Sequence, residues 1–260
     1  QPALREKSKL GPQDALGILP CNTGNSIPEI PVVVHVMHLG ESVGVGSNIS
    51  VAQINDAIRG LNDRWSKAIG DGVAIPIRFA LAKRAPDGSP SSGIVRYNAS
   101  AVPRYATEGV QSAPNGPGTD DQVLKDLSKW PPDQYYNIWV VRDIQGSVLG
   151  FAHYPFFNEA PYRYDGTVIE SNAMIYNSIT LAHEMGHAFN LAHTFEGDNS
   201  SNTCPVNADC SVDGDGVCDT PPHREDDCGP TNPCSNVGIW DNSRVNYMSY
   251  CGSNVSTRFT

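Results

Sequence analysis

The stretch "HEMGHAFNLAH", residues 183–193, sets three histidines and a glutamate within eleven positions. His183 and His187 are four apart, so on a helix they project from one face, one turn separated. Two imidazoles so placed can reach one Zn2+ at about 2.0–2.1 Å without a change of backbone. Glu184 sits one step round the helix, where its carboxylate can hold a water instead of the ion. Metal-assisted hydrolysis needs this grouping: the metal lowers the pKa of a water, and the carboxylate takes its proton. A third ligand is still required. On a continued helix, at about 100° per residue, His193 would point about 240° away from His187. The helix must therefore end between them, and Asn190 sits where the chain has to turn back. Asn is second only to Gly in tolerating the left-handed conformation such a turn demands. The other histidines (His35, His38, His153 and His223) stand singly and read as satisfied or exposed side chains.

The elements that must hold this group can be read from pattern. Residues 1–27 are polar, with no sustained period, and read as an arm of pro-segment character. "PVVVHVMH" (31–38) is β-branched and continuous, as in a strand buried on both faces. Ser50 N-caps a helix whose apolar positions are Val51, Ile54, Ile58, Leu61 and Trp65. Strands are expected at 75–82, 93–97 and 135–143, with a helix from Asp120 or Asp121 to Trp130, stopped by Pro131 and Pro132. "SVLGFAHYP" (147–155) reads as an edge strand stopped by Pro155. Apolar spacing at Ile179, Ala182, Met185, Ala188 and Phe189 places the histidines on a helix over 178–190. Strands alternating with helices predict an α/β layer around a mostly parallel sheet.

Composition narrows the setting. The 260 residues, 39% hydrophobic and 18% charged, can bury a full core in one domain or two close lobes. A net charge of −10 with no basic run argues against nucleic acid as a partner. No stretch approaches the roughly 20 apolar residues that cross a bilayer. Six of the seven cysteines lie in the last quarter of the chain without a CxxC pair, which predicts disulfides in an oxidising compartment. Their connectivity is open, at about 15 arrangements for three bridges. Sequons at Asn48, Asn98, Asn199 and Asn254 are consistent with a secreted surface. "DGDGVCDT" (213–220) offers Asp213, Asp215 and Asp219 as hard oxygen donors around two glycines, a composition suited to Ca2+, without the bidentate Glu of an EF-hand loop. Cys21 is the odd cysteine. A thiolate in an N-terminal arm could take a fourth zinc position and block water, which would make the arm a latency device.

The HExxHxx(G/N)xxH helix, together with "NYMSY" at 246–250, resembles the metzincin metallopeptidases. "IPEIPVVVHVMH" near the start, "LGFAHYP" before the zinc helix and "CDTPP" (218–222) after it narrow the likeness to the pappalysin/cytophagalysin-like, or ulilysin-like, branch. The resemblance runs from about residue 28 to the C-terminus. It implies an α/β metzincin fold: a mostly parallel twisted sheet with an antiparallel edge strand, backing and active-site helices, and an irregular disulfide-rich C-terminal subdomain. The implied division is 1–27 arm, 28–193 upper subdomain with the zinc helix, and 194–260 lower subdomain.

By the same resemblance His183, His187 and His193 bind zinc and Glu184 is the general base. Met248 is the apolar floor under the metal, and the Tyr250 hydroxyl stabilises the oxyanion. Leu149, Gly150, Phe151, Ala152 and His153 form the upper rim that pairs with an extended peptide. The family's calcium sites support Asp213, Asp215, Asp219 and Thr220 as candidate ligands, and its bridges imply a Cys218–Cys251 disulfide. Two departures limit the transfer. Relatives that favour basic residues carry an acidic side chain after the Met-turn, whereas "CGSNVSTRF" has none, so a preference for Arg or Lys after the scissile bond does not carry over with the resemblance. Relatives also continue into a further helix beyond the position of Thr260. The expectation is a secreted, monomeric zinc endopeptidase acting on proteins or peptides. Its rivals are a zinc hydrolase of a non-peptide amide and a non-catalytic binding module; an intact Glu184 weighs against the second.

Overall fold

The computed structural model describes residues 27–155, 164–229, 231–235, 243–252 and 256–260. The arm expected over 1–27, with Cys21, lies outside them except for Ile27, as does the sequon at Asn254. Strand β1, Glu29–His38, is the centre of the sheet. Val32, Val34 and Val36 fall in one core and Met37 in the other, and Val33 and His35, on the same face as Met37, are fully buried too. This two-sided burial is why the run shows no polar alternation.

Parallel β4, Tyr136–Val141, lies along one side of β1. Two shorter parallel strands share the other side in succession: β2, Arg78–Leu81, and β3, Ile94–Asn98. Beyond β4 come parallel β6, Thr167–Glu170, and antiparallel β5, Gly150–Ala152, giving the order β2-β1-β4-β6-β5. The sheet is thus mostly parallel with one antiparallel edge strand.

Two longer helices cover one face. Helix α1, Val51–Trp65, begins at Ser50, whose side chain accepts from Gln53 N at 3.0 Å, and buries Ile54, Ile58, Leu61 and Trp65. Helix α4, Thr180–Ala188, buries Leu181, Ala182 and Met185 in the same core, which Tyr247, Met248 and Phe259 close from below. Trp65 packs on Phe79, Phe189 and Phe259 with ring centroids 5.1–5.2 Å away, joining the two helices to the C-terminal segment. On the opposite face lie the short helices α2, Tyr105–Glu108, and α3, Asp121–Lys125. Tyr105 and Leu124 fill that core against Trp139. Tyr105 donates to Met37 O at 2.6 Å and accepts from Arg142 N at 2.9 Å, tying α2 to two strands.

Three expectations are corrected. The helix from Asp121 is regular only to Lys125; beyond it the chain tightens into turns, with Leu127 N–H donating to Leu124 O and Ser128 N–H to Lys125 O, each at 3.2 Å. The strand at 147–155 is regular only over Gly150–Ala152, where it pairs with β6. The Cys218–Cys251 bridge is not formed. The bridges are Cys204–Cys234, Cys210–Cys218 and Cys228–Cys251. The acidic turn folds back on itself and brings the Cα atoms of Cys210 and Cys218 to 4.8 Å, so Cys218 is already engaged and Cys251 pairs with Cys228.

Candidate active site

Helix α4 presents His183 and His187 on one face, and a Schellman turn ends it. Asn190 takes φ +67°; its N–H donates to His187 O at 2.8 Å, and Leu191 N–H reaches back to Gly186 O at 2.9 Å. The reversal brings His193 to the other two rings: His187 Nε2 lies 3.1 Å from both His183 Nε2 and His193 Nε2. Among the described residues, these three are the one group whose ligand atoms converge for a metal ion.

The tautomers follow from the neighbours. His183 Nδ1 faces Tyr247 O at 2.6 Å and His187 Nδ1 faces Leu191 O at 2.8 Å. A carbonyl only accepts, so each Nδ1 carries the proton and each Nε2 presents a lone pair. Two such lone pairs 3.1 Å apart repel unless a cation lies between them. Ligands about 2.05 Å from a tetrahedral zinc sit about 3.3 Å from one another, so the donor set fits Zn2+. Burial, and then the neighbouring imidazoles, push His187 down to about 3 and hold His193 low as well, which keeps the rings neutral.

Glu184 is 4% exposed, and its Oε2 is buried without a hydrogen-bond partner among the described residues. Burial pushes its carboxyl up to about 8 against the lowering effect of the Ala152 N–H. Met248 is buried beneath the cluster, and its O accepts from Thr194 N at 3.2 Å. The Tyr250 ring stands 4.6 Å from His193 and 5.5 Å from His183, half exposed to the cleft; burial, then Glu184, raise its phenol above the usual range.

The other predicted residues are distributed less simply. β5 is the outer strand, with Leu149 exposed just before it. His153, expected on the rim, turns toward Asp121, Nε2 to Oδ2 3.5 Å; that carboxylate also holds fully buried Lys125 at 2.7 Å. The three aspartates of the acidic turn do not form one ligand group. Asp213 caps the N–H groups of Ala208 and Asp209, Asp215 accepts from Thr220 Oγ1 and Val217 N, and Asp219 accepts from Thr260. Of the single histidines, His35 bonds Asn137 and stacks on Trp139, while His223 is buried between Thr194 and Arg224 O.

Several contributors lay outside the sequence reading. Phe195 stacks on His193 with centroids 4.7 Å apart, and Tyr154 meets His187 edge-on at 5.2 Å. Gly186 lets Met248 approach the helix; a Cβ there would overlap the Met248 sulfur. A glycine inside a helix costs about 1 kcal/mol against alanine, and that is the signal that could have marked it.

A mostly parallel sheet with an antiparallel edge, a histidine helix turned at Asn190 and a methionine turn beneath it together define a metzincin-type peptidase fold. The family described as pregnancy-associated plasma protein-A, a peptidase family, matches residues 117–260, and the chain belongs to it. An extracellular metalloprotease of Arthroderma gypseum is 30% identical over 167 residues, 60% of this chain and 54% of its own length. Human pappalysin-1 is 24% identical over 152 residues, 54% of this chain and 9% of its own length. The chain spans about half the length of the fungal relatives. Mature mirolysin of Tannerella forsythia, solved with a cleaved peptide, superposes with a TM-score of 0.64 at 27% identity, covering 87% of this chain and 85% of that one.

Proposed function

We propose that this chain is a secreted zinc endopeptidase that hydrolyses peptide bonds of protein substrates. One observation carries the reading: three imidazole Nε2 atoms converge on helix and turn next to Glu184, whose buried Oε2 has no hydrogen-bond partner among the described residues. Zn2+ held by His183, His187 and His193 would supply the Lewis acidity that acidifies a water and polarises the scissile carbonyl. The remaining steps belong to side chains of this protein. Glu184 takes the proton from the attacking water and delivers it to the departing amine nitrogen. The Tyr250 hydroxyl donates to the oxyanion of the tetrahedral intermediate. An extended substrate adds to the open edge of β5, the last strand of the sheet, passing Leu149, Gly150, Phe151, Ala152 and His153. Secretion is supported by three disulfides and by relatives named as extracellular; no helix among the described residues is long and apolar enough to cross a membrane.

The test is incubation of the wild type and Glu184→Ala with a mixed peptide library, each with and without a zinc chelator. Cleavage by the wild type alone, lost on chelation, is expected. No peptide cleavage by the processed wild type, or cleavage retained in Glu184→Ala, would overturn the reading and leave a non-peptide amide substrate or a binding role.

Calcium in the acidic turn is a separate part of the proposal. It is supported by Asp215, Val217 and Thr220 lining one cavity of about 30 Å3. It is further supported by burial, and then Asp219, raising the Asp215 carboxyl, a strain a cation would relieve. Added Ca2+ should raise the melting temperature of the wild type and not that of Asp215→Asn.

A further inference from the structure

We propose that Asp121 and Lys125, on the far face of the sheet, act through His153 as positioning residues for the general base Glu184. This rests on the endopeptidase reading above and adds to it the groups that hold its base in place. β5 is three residues long and, among the described residues, pairs with β6 alone. So short an edge strand has few ladder bonds to fix it, yet it leans directly on Glu184. A Cβ at Gly150 would stand 3.3 Å from Glu184 Cγ. Burial raises the Glu184 carboxyl, and the Ala152 N–H lies close enough to oppose that effect.

Alternation along the strand divides its residues between the two faces. The Cβ position of Gly150 faces Thr180 and Glu184, and the Tyr154 ring meets His187 edge-on at 5.2 Å, so these two look toward α4. Phe151 packs against the opposite core, and His153 follows it to that side. There His153 Nε2 lies 3.5 Å from Asp121 Oδ2, and its ring meets Phe151 at 5.9 Å and Tyr164 at 5.4 Å. A carboxylate only accepts, so the ring proton belongs on Nε2, facing Asp121.

Asp121 is itself held from behind. Lys125, one turn along α3 and fully buried, places Nζ 2.7 Å from the same Oδ2. It also donates to Tyr164 O at 2.7 Å and lies 5.3 Å over the Trp139 ring. A buried ion pair adds little stability over an apolar pair of the same volume. What it adds here is direction: a carboxylate fixed in place and aimed at His153. The chain neighbours of His153 are Ala152 and Tyr154, which touch the base and a zinc ligand. Without the anchor the end of the strand can drift, and a misplacement of about 1 Å in a catalytic group costs about 10²-fold in rate.

Variants of the zinc-loaded protein test this. His153→Ala should lower kcat at least about tenfold, with KM, zinc content and melting temperature little changed. His153→Gln keeps an N–H donor for Asp121 and should recover most of that loss. Exchange of the Ala152 amide, followed by NMR, should speed up at least about tenfold in His153→Ala and not in His153→Gln. The joint change Asp121→Leu with Lys125→Met strands no buried charge and should reproduce both effects, so it carries the test should His153→Ala fail to fold. Adding His153→Ala to that background should cost nothing further. A lower melting temperature with kcat intact, a higher KM at unchanged kcat, or Ala152 exchange at the wild-type rate would overturn the proposal. So would a full second loss of kcat in the joint background. Amide exchange needs no turnover. Faster exchange in a protein that cleaves no peptide would uphold the anchor and count against the endopeptidase reading alone, whereas cleavage and exchange both unmoved by these variants would count against the anchor alone.

Discussion

Gly186 and Met248 are in direct packing contact, and the space at Gly186 is what lets the methionine turn sit under the histidine helix. A Cβ at 186 would also meet Phe259 at 3.4 Å, and Met248 is only 2% exposed, so its sulfur has little room to retreat. Two opposed effects decide the result of Gly186→Ala. Helix propensity favours alanine by about 1 kcal/mol, while overpacking a filled core costs about 1–3 kcal/mol. Net destabilisation of about 1–2 kcal/mol is expected in denaturant unfolding, with reduced zinc content. Combining it with Met248→Ala should cost less than the two single changes added together, because the smaller side chain vacates the contested space. A stabilised Gly186→Ala would contradict the packing.

Tyr250 stands in the cleft with its ring 5.5 Å from His183 and 4.6 Å from His193, close enough to Glu184 for that carboxylate to help raise its phenol. Tyr250→Phe keeps the ring and removes that donor. Turnover should fall on the order of 10²-fold, as for loss of other oxyanion donors, with KM and zinc content little changed. A kcat equal to wild type would reduce Tyr250 to packing.

Much of this centre was legible because its spacing is local. The four-residue interval of His183 and His187 and the turn at Asn190 depend only on helix geometry. β1 was legible for the same reason, as a continuous apolar run. What pairing at a distance decides was not legible. The carbonyl of Tyr247 fixes the His183 tautomer from 64 residues away, and its role depends on how the chain returns under the helix. β6 is four residues long, too short to show a period, and owes its burial to β4 and β5 on either side. The bridges of Cys218 and Cys251 depend on the fold of a loop-rich segment that carries no periodic signal. His153 could be placed on the rim from its position, but Asp121, 32 residues earlier, draws its side chain inward.

His35 makes stability sensitive to acid. Burial against Trp139 holds its pKa down to about 4, against 6.5 ordinarily, despite the opposing bond to Asn137. Between those pH values the unfolded chain binds a proton on this ring that the folded chain does not, so acidification favours unfolding. The stability is fully present above pH 6.5, falls by up to about 1.4 kcal/mol per pH unit, about 3 kcal/mol in all, and levels off below pH 4. Urea unfolding at intervals from pH 7 to pH 4 should show this slope in the wild type and a shallower one in His35→Gln. Parallel slopes would mean that His35 is not the group responsible.

The three bridges engage six of the seven cysteines, so no other cysteine of the chain is left to pair with Cys21. A lone thiol in the segment preceding the sheet can serve as a fourth zinc ligand, keeping water from Glu184 until the arm is removed. If it does, the unprocessed Cys21→Ala protein should cleave peptide from the first minutes, while the unprocessed wild type shows a lag. The thiol itself gives a second readout. Bound to zinc, it should resist alkylation by iodoacetamide in the folded wild type and become reactive once a chelator is added. A lag of equal length in both proteins, or a thiol alkylated at the same rate with and without zinc, would exclude Cys21 from the metal and place any latency elsewhere in the arm.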